Sequence, residues 1–150
     1  MKKIILLTSI TCLMLISGLT FANRNRPLET KKPEVSAQSS DTLIVLWTSG
    51  DPDVALKMVF MYAGASARVK WWSHVRLIVW GPSAKITAEN AEIKEGIAKM
   101  QENGVVIEAC KACADDYGVS DTLTSLGIDV KYMGKLLTQC LKGNYTVIAL

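Results

Sequence analysis

The chain has 150 residues, with 17 Lys and Arg against 14 Asp and Glu, a net charge of +3 and 49% hydrophobic residues. This length and composition suit one globular domain and exclude a disordered chain, a collagen-like repeat and a coiled coil. Residues 41–150 hold 11 basic and 12 acidic side chains, so the positive charge comes from the first 40 residues. We therefore expect no nucleic-acid-binding face on the domain.

The amino-terminal segment, residues 1–22, has the pattern of a secretory signal peptide. Two lysines precede an apolar run from Ile4 to Leu19, and a small-x-small cleavage site ends at Ala22. The run is shorter than the ~20 residues that span a bilayer core, so no stable membrane span is expected after cleavage. The pattern predicts a periplasmic or secreted protein.

Residues 23–40 contain two prolines and six charged side chains but almost no large apolar groups. Such a segment cannot bury enough surface to offset the entropy lost on ordering, so it is expected to be a flexible linker. The folded domain is then predicted over residues 41–150.

Strand and helix patterns alternate along the domain. The run Thr42–Trp47 is apolar throughout, which is typical of a strand buried on both faces, and Asp51 with Pro52 marks the start of a helix that extends to about Ala67. Further strands are predicted at 75–80, 105–107, 128–133 and 145–150, and further helices at 88–103, 110–117, 120–126 and 135–142. The predicted fold class is α/β: a three-layer α/β/α domain with a five-stranded, mostly parallel sheet and flavodoxin-like layering.

The first helix, VALKMVFMYAGASA, is apolar on nearly every side. A helix that covers one face of a sheet needs only one apolar stripe, so Met58, Phe60, Met61 and Tyr62 cannot all meet the same core. Either the helix is deeply enclosed or its second face contacts another subunit, and in so small a domain we favour the subunit contact. A homo-oligomer is therefore expected.

Ligands of open parallel sheets bind beyond the carboxyl ends of the strands, and two cysteines are expected there. Cys110 leaves the third strand, and Cys113 lies in the first turn of the next helix. The helix amino terminus and Lys111 favour a thiolate, which attacks disulfides, holds a sulfane sulfur as a persulfide or binds metal. Cys110 is expected to be the more reactive thiol, since burial against the sheet raises the pKa of Cys113. A stabilising disulfide or two buried thiols is the alternative left open.

The residues at the same sheet edge predict the rim of a pocket around this catalytic pair. The predicted rim combines small residues with two large aromatic side chains, each at the end of a strand. The predicted rim residues are Trp47, Ser49, Gly50, Trp80, Gly81, Ser83, Lys111 and Gly134.

The sequence lacks the residues that zinc binding, Cys–His catalysis and phosphate binding would need at this site. His74 is the only histidine, and it precedes the second strand, at the opposite edge of the sheet from Cys110. His74 is therefore not expected to complete a zinc site with Cys110, Cys113 and Cys140, or to form a Cys–His catalytic pair with Cys110. The glycine motifs of phosphate-binding loops are missing. We predict no metal and no cofactor.

Four segments together resemble the DsrE/DsrF/TusD-like proteins, which have the YchN-like fold. They read LIVLWTSGDPDVALKMVFMYAGA, VRLIVWGPSAKI, VVIEACKACADDYGV and LGIDVKYMG, and the resemblance covers roughly residues 42–150. It implies trimers or hexamers, and Cys110 is the best match for the family's sulfur-carrying cysteine. Two features depart from the family pattern. Cys113 lies within disulfide reach, and the chain has an export signal whereas the sulfur-relay members work in the cytosol.

Three hypotheses for function follow. The first is an exported persulfide carrier or sulfurtransferase that acts through Cys110, with a sulfur-donor or acceptor protein as partner. The second is a periplasmic thiol-disulfide oxidoreductase that uses the Cys110–Cys113 pair. The third is a non-catalytic oligomeric binding module. A carrier tolerates Cys113→Ser, a redox couple does not, and a binding module tolerates the loss of both thiols.

Overall fold

The computed structural model describes residues 41–150, so the predicted signal peptide (1–22) and linker (23–40) lie outside the described residues. Within the described part of the chain, no helix is long and apolar enough to cross a membrane. The elements in chain order are β1 Thr42–Trp47, α1 Pro52–Val54, a π-helical segment Ala55–Val59, α2 Phe60–Arg68, β2 His74–Val79, α3 Pro82–Glu89, α4 Ala91–Glu102, β3 Val106–Cys110, α5 Lys111–Asp116, α6 Ser120–Ser125, β4 Asp129–Lys131, α7 Gly134–Lys142 and β5 Thr146–Ala149.

The five strands form one parallel sheet in the order β4-β3-β2-β1-β5. The first four strands lie side by side in chain order, and β5 pairs with the other edge of β1. Right-handed crossovers then place α1 to α6 on one face of the sheet and α7 on the other. The predicted α/β fold, with a five-stranded parallel sheet between helical layers, is confirmed.

The two faces of the sheet have cores of unequal size. Leu43, Val45 and Trp47 of β1 point into a large core under α1 to α6, whereas Ile44 points to a smaller core under α7. This two-sided burial explains why β1 is an unbroken apolar run. We call the smaller core the second cluster: its buried residues are Ile44, Ile78, Cys110, Met133 and Cys140, with Leu46, Trp80, Cys113, Leu136 and Val147 packed against them.

The first helical stretch begins at the predicted cap. The Asp51 carboxylate accepts the N–H of Asp53 at 2.8 Å, and Pro52 occupies the first turn. Phe60 is buried against the sheet, whereas Met58 and Met61 are 46% and 64% exposed. As the sequence indicated, this helix carries more apolar surface than its own sheet covers.

The structure differs from the prediction between β2 and β3. The helix predicted over 88–103 corresponds to α4, which begins three residues later, and an unpredicted helix, α3, precedes it over Pro82–Glu89. They meet at Asn90, whose extended backbone (φ −96°, ψ 123°) breaks the helix and whose side chain accepts the N–H of Ile93 at 3.1 Å. Asn90 is thus an N-cap residue, and Pro82 starts α3 as Pro52 starts α1. The third strand also extends to Cys110, three residues beyond its predicted end.

Candidate functional site

The candidate site lies where β3 ends and α5 begins. Cys110 is the last residue of β3 and also the N-cap residue of α5, with an extended backbone (φ −67°, ψ 108°). Cys113 is the third residue of α5, the position that an N-cap side chain faces. The two thiols therefore meet in a hydrogen bond, and neither forms a disulfide.

The exposure of the two cysteines is the reverse of the order expected. Cys110 is only 4% exposed, whereas Cys113 is half-buried. The reason is that Cys110 still belongs to the strand, so its side chain points into the second cluster. Cys113 packs against the margin of that cluster together with Trp80, which is also half-buried.

The pKa of the Cys113 thiol is raised above its usual range, in the predicted direction. Burial is the main cause, and the hydrogen bond with Cys110 adds to it. A thiolate on Cys110 and the carboxylate of Asp116 also repel a second negative charge, while the backbone N–H of Gly81, which donates to the Cys113 sulfur, opposes the rise. Cys113 is therefore held as the protonated partner that donates to Cys110.

Trp47 is not part of the site, so its predicted place on the rim is wrong. Its side chain is fully buried under the helices of the larger core, where its ring meets Phe60 edge to face with 5.4 Å between ring centroids. Trp47 pairs in register with Val79. Since side chains alternate along a strand, Trp80, the residue after Val79, points to the opposite face and does lie beside the cysteines.

Ser83 and Gly81 have different roles at the end of β2. The buried Ser83 hydroxyl donates to the carbonyl of Trp47 at 2.7 Å and accepts the N–H of Trp80 at 2.9 Å, so it ties two strand ends together and is not an exposed rim residue. Gly81 has a φ of 67°, in the left-handed region that favours glycine. That turn leads β2 into α3 and presents the Gly81 N–H to Cys113.

Three other predicted rim residues lie in separate places. The Ser49 hydroxyl accepts the N–H of Asp51 at 3.1 Å. Gly50 approaches α3 so closely that a Cβ there would lie 3.1 Å from the Cβ of Pro82. Gly134 starts α7 and lines a cleft along that helix. None of these contacts involves either cysteine.

Lys111 follows Cys110 directly, but its charge is engaged elsewhere. Its ammonium forms an ion pair with Asp115 at 2.5 Å and lies 5.8 Å from the ring centroid of Tyr132. The hydrogen bond that Lys111 donates to the Asp115 carboxylate is the main cause of its raised pKa. The expected help from Lys111 in forming a thiolate is therefore reduced by its own carboxylate partner.

A buried carboxylate that the sequence reasoning missed lies on the same sheet face as Cys110. Glu108 is 3% exposed and sits two positions before Cys110 on β3, so both side chains point the same way. The Lys131 Nζ lies 2.6 Å from Glu108 Oε1. The Arg76 Nε lies 3.1 Å from Glu108 Oε2, although that contact is not aligned as a hydrogen bond.

This ion network is what permits a carboxylate in the sheet, because an unpaired buried charge is strongly unfavourable. The hydrogen bonds that Lys131 donates to the Asp129 carboxylate, first, and to the Glu108 carboxylate, second, raise the pKa of Lys131. The signal in the sequence was a single acidic residue in the otherwise apolar strand VIEAC. Its partners could not be read without the strand order, since they come from β2 and β4.

Two clefts of the described structure lie away from the cysteine pair. One, of about 560 Å³, runs along α7, and the other, of about 650 Å³, lies between α2 and α4. The predicted aromatic-rimmed pocket over Cys110 is neither of these. Among residues 41–150, no group of three His, Cys, Asp or Glu side chains is arranged to hold a metal ion.

The comparisons with known proteins identify the family. The family model described as "DsrE/DsrF-like family" matches residues 43–150. The chain belongs to the DsrE/DsrF-like family. Among solved structures, it is similar to a conserved protein of unknown function from Bacteroides thetaiotaomicron, with 38% identity and a TM-score of 0.73 over 76% of this chain and 99% of that one.

A second solved structure supports the fold of this DsrE/DsrF-like chain. The YchN protein of E. coli is 19% identical, with a TM-score of 0.54 over 73% of this chain and 97% of its own. At that identity the likeness concerns the fold alone. No curated protein matches the chain. The resemblance read from the four sequence segments is thereby confirmed.

Proposed function

We propose that this DsrE/DsrF-like protein carries a sulfane sulfur as a persulfide on Cys110. The observation that carries the proposal is the hydrogen bond between the two thiols, in which Cys113 keeps its proton. Cys113 thereby offers a hydrogen-bond donor to the Cys110 sulfur, and the thiolate is the form of cysteine that attacks sulfur. The family, which is generally related to sulfur relay, supports the same chemistry.

The uptake step needs no cofactor. The Cys110 thiolate attacks the outer sulfur of a donor persulfide, so a bond forms between that sulfur and Cys110 Sγ. The bond between the two donor sulfurs breaks, and the donor leaves as a thiolate, with atoms and charge conserved. Burial of Cys110 at 4% exposure shields the persulfide from water. The half-buried Cys113 and Trp80 lie on the more open side, from which a donor would approach.

The test is to load the Cys113→Ser variant with a small-molecule persulfide and measure peptide masses. One added sulfur atom on the Cys110 peptide is expected, and a Cys110→Ser variant is expected to gain none. The proposal fails if the Cys113→Ser protein acquires no sulfur, or if both variants acquire it equally. Cys140 provides an internal control, since it is as buried as Cys110 but lies on α7, outside the turn that joins Cys110 to Cys113, and should stay unmodified.

The contact between the thiols also favours a second candidate, a thiol-disulfide redox couple. An N-cap residue and the third residue of the same helix lie close enough for their sulfur atoms to bond. Protein isolated from its native compartment would then lack two hydrogens across Cys110–Cys113 and would carry no extra sulfur. Finding the added sulfur on Cys110 instead would favour the carrier.

We further propose that the protein works as a homo-oligomer, a trimer or hexamer, through the apolar outer face of the first helical stretch. The exposed Met58 and Met61 on that face support this assignment. Light scattering at micromolar concentration should give a mass above that of one chain. Substitution of Met61 by Glu should lower it, and a monomer in both proteins would contradict the assignment.

We also propose that the carrier is exported, on the basis of the signal-peptide pattern at residues 1–22. Amino-terminal sequencing of protein from the cell envelope should then begin near Asn23. Recovery of intact Met1 in the soluble cytosolic fraction would refute export. The partner that donates or accepts sulfur would accordingly be an envelope or extracellular protein.

A further inference from the structure

We propose that Cys113 is a resolving thiol that discharges the persulfide of Cys110 as sulfide and leaves a Cys110–Cys113 disulfide. The inference rests on the proposed persulfide at Cys110 and adds a second activity to it. A sulfur carrier needs only one thiol. A resolving role for Cys113 explains why a second thiol contacts the first.

The geometry favours attack by Cys113 on the inner sulfur of the persulfide. Cys110 and Cys113 are the N-cap and third residues of α5, and their thiols already form a hydrogen bond. The atom in contact with the Cys113 sulfur is therefore Cys110 Sγ itself, which becomes the inner sulfur once a sulfane sulfur is attached. Cys140, although in the same cluster, lies on α7 and not on the turn that carries Cys110 and Cys113.

The surroundings of Cys113 also suit this role. The displacement is in line, so the sulfide departs from the side of Cys110 Sγ opposite to Cys113. Because the Cys113 side chain is half-buried at the margin of the second cluster, the disulfide that remains is within reach of an external dithiol. The Gly81 N–H donates to the Cys113 sulfur, which fixes that sulfur and stabilises negative charge on it during attack. The tight turn between β2 and α3 holds the backbone of Gly81 in place.

The reaction balances without another reactant. The Cys113 sulfur forms a bond to Cys110 Sγ, the bond from Cys110 Sγ to the sulfane sulfur breaks, and the electron pair leaves with that sulfur. The proton lost by Cys113 accompanies it, so hydrogen sulfide departs. The sulfane sulfur is reduced, and the two cysteine sulfurs are oxidised to a disulfide. Return to the starting state needs an external dithiol, which would make the protein a sulfide-releasing enzyme under reduction.

The experiment follows sulfide release over time after a single loading with a small-molecule persulfide and removal of the excess donor. The wild-type protein should release one sulfide for each disulfide formed, with the disulfide assigned by peptide mass. Cys113→Ser and Cys113→Ala should keep the added sulfur on Cys110 and lose this release. Ala112→Ser, which adds a hydroxyl to the same turn at an exposed position, should behave as wild type.

Two outcomes overturn the inference. One is a wild-type protein that retains its persulfide as long as Cys113→Ser does, and the other is sulfide release without formation of the Cys110–Cys113 disulfide. Either result leaves the carrier proposal standing, because the persulfide is still found on Cys110. Failure of the carrier itself looks different, since then none of these proteins acquires the added sulfur.

Discussion

Two glycines at the contact between α2 and α4 are expected to respond in opposite ways to replacement by alanine: one replacement should destabilise the fold and the other should stabilise it. Gly96 of α4 faces the ring of Phe60, and a Cβ at that position would lie 2.5 Å from Phe60 Cδ2 and Cε2. The ring has little freedom to retreat, because it is buried and packs edge to face on the fully buried Trp47. Gly96→Ala must therefore displace Phe60 or push the two helices apart.

Gly64 of α2 is the matched control, because it lines the same cleft. A Cβ there would meet nothing closer than Met100 Cγ at 3.8 Å, an ordinary van der Waals contact. Replacing a helical glycine with alanine stabilises a helix by about 1 kcal/mol. We expect that gain in Gly64→Ala, and expect it to be offset in Gly96→Ala by the clash with Phe60.

The size of the effect follows from the two contacts that change. Overpacking a close-packed site costs about 1–3 kcal/mol, and disturbing the aromatic pair of Phe60 and Trp47 costs about 0.5–1.5 kcal/mol more. The gain in helix propensity is common to both variants and cancels in their difference. Gly96→Ala should therefore be about 1.5–4.5 kcal/mol less stable than Gly64→Ala.

Urea unfolding, followed by tryptophan fluorescence at one fixed protein concentration, measures that difference as a shift in midpoint. Equal concentrations matter, since self-association would contribute to the apparent stability. If Gly96→Ala were as stable as Gly64→Ala, the packing of Phe60 against α4 would not be as tight as described, and the reasoning would be refuted.

Three further predictions concern the second cluster and its neighbours. Alkylation of Cys113 against pH should show its inflection at a lower pH in Cys110→Ser than in wild type, and an unchanged inflection would mean that the thiols do not interact. Arg76→Ala and Lys131→Ala should each leave one cation beside Glu108. The double variant should lose about 3–5 kcal/mol of unfolding free energy, measured by urea unfolding. If the loss in the double variant were only the sum of the losses in the two single variants, the three side chains would not form a shared network. The pKa of Lys131 is raised in the folded protein, so the charged ammonium stabilises the fold at pH values below about 10.4, the pKa of lysine in an unfolded chain. This stabilisation is lost as the pH rises through the pKa of Lys131 in the folded protein. Stability of Lys131→Met should thus fall less steeply above pH ~10.4 than that of wild type.

The fold could be predicted because its signals are local and strong. The apolar run Thr42–Trp47, the Asp51-Pro52 cap and the alternation of strands with helices each follow from short stretches of sequence. The predicted boundary failed at Asn90, where a cap residue inside a helical pattern reads much like a helix interior. A second Pro at a helix start, Pro82, was the available signal for α3.

The site was predicted less well because it depends on which face of a strand each side chain occupies. Both Trp47 and Trp80 end strands at the same sheet edge, and only the pairing of Trp47 with Val79 places them on opposite faces. The burial of Cys110 likewise depends on α7, which crosses to the second face and packs Cys140 beside it. Such relations join distant segments, so no local pattern contains them.

The unequal cover of the sheet connects stability with function. The face under α1 to α6 holds most of the apolar core, so the other face, with α7 as its helical cover, is where polar chemistry is tolerated. There the sheet carries a buried carboxylate, Glu108, held by partly exposed cations, and a pair of thiols whose outer member reaches solvent. The proposed carrier role requires a sulfur atom that is shielded between transfers and accessible during them. The burial of Cys110 beside the half-open Cys113 meets both needs without requiring the main core to open.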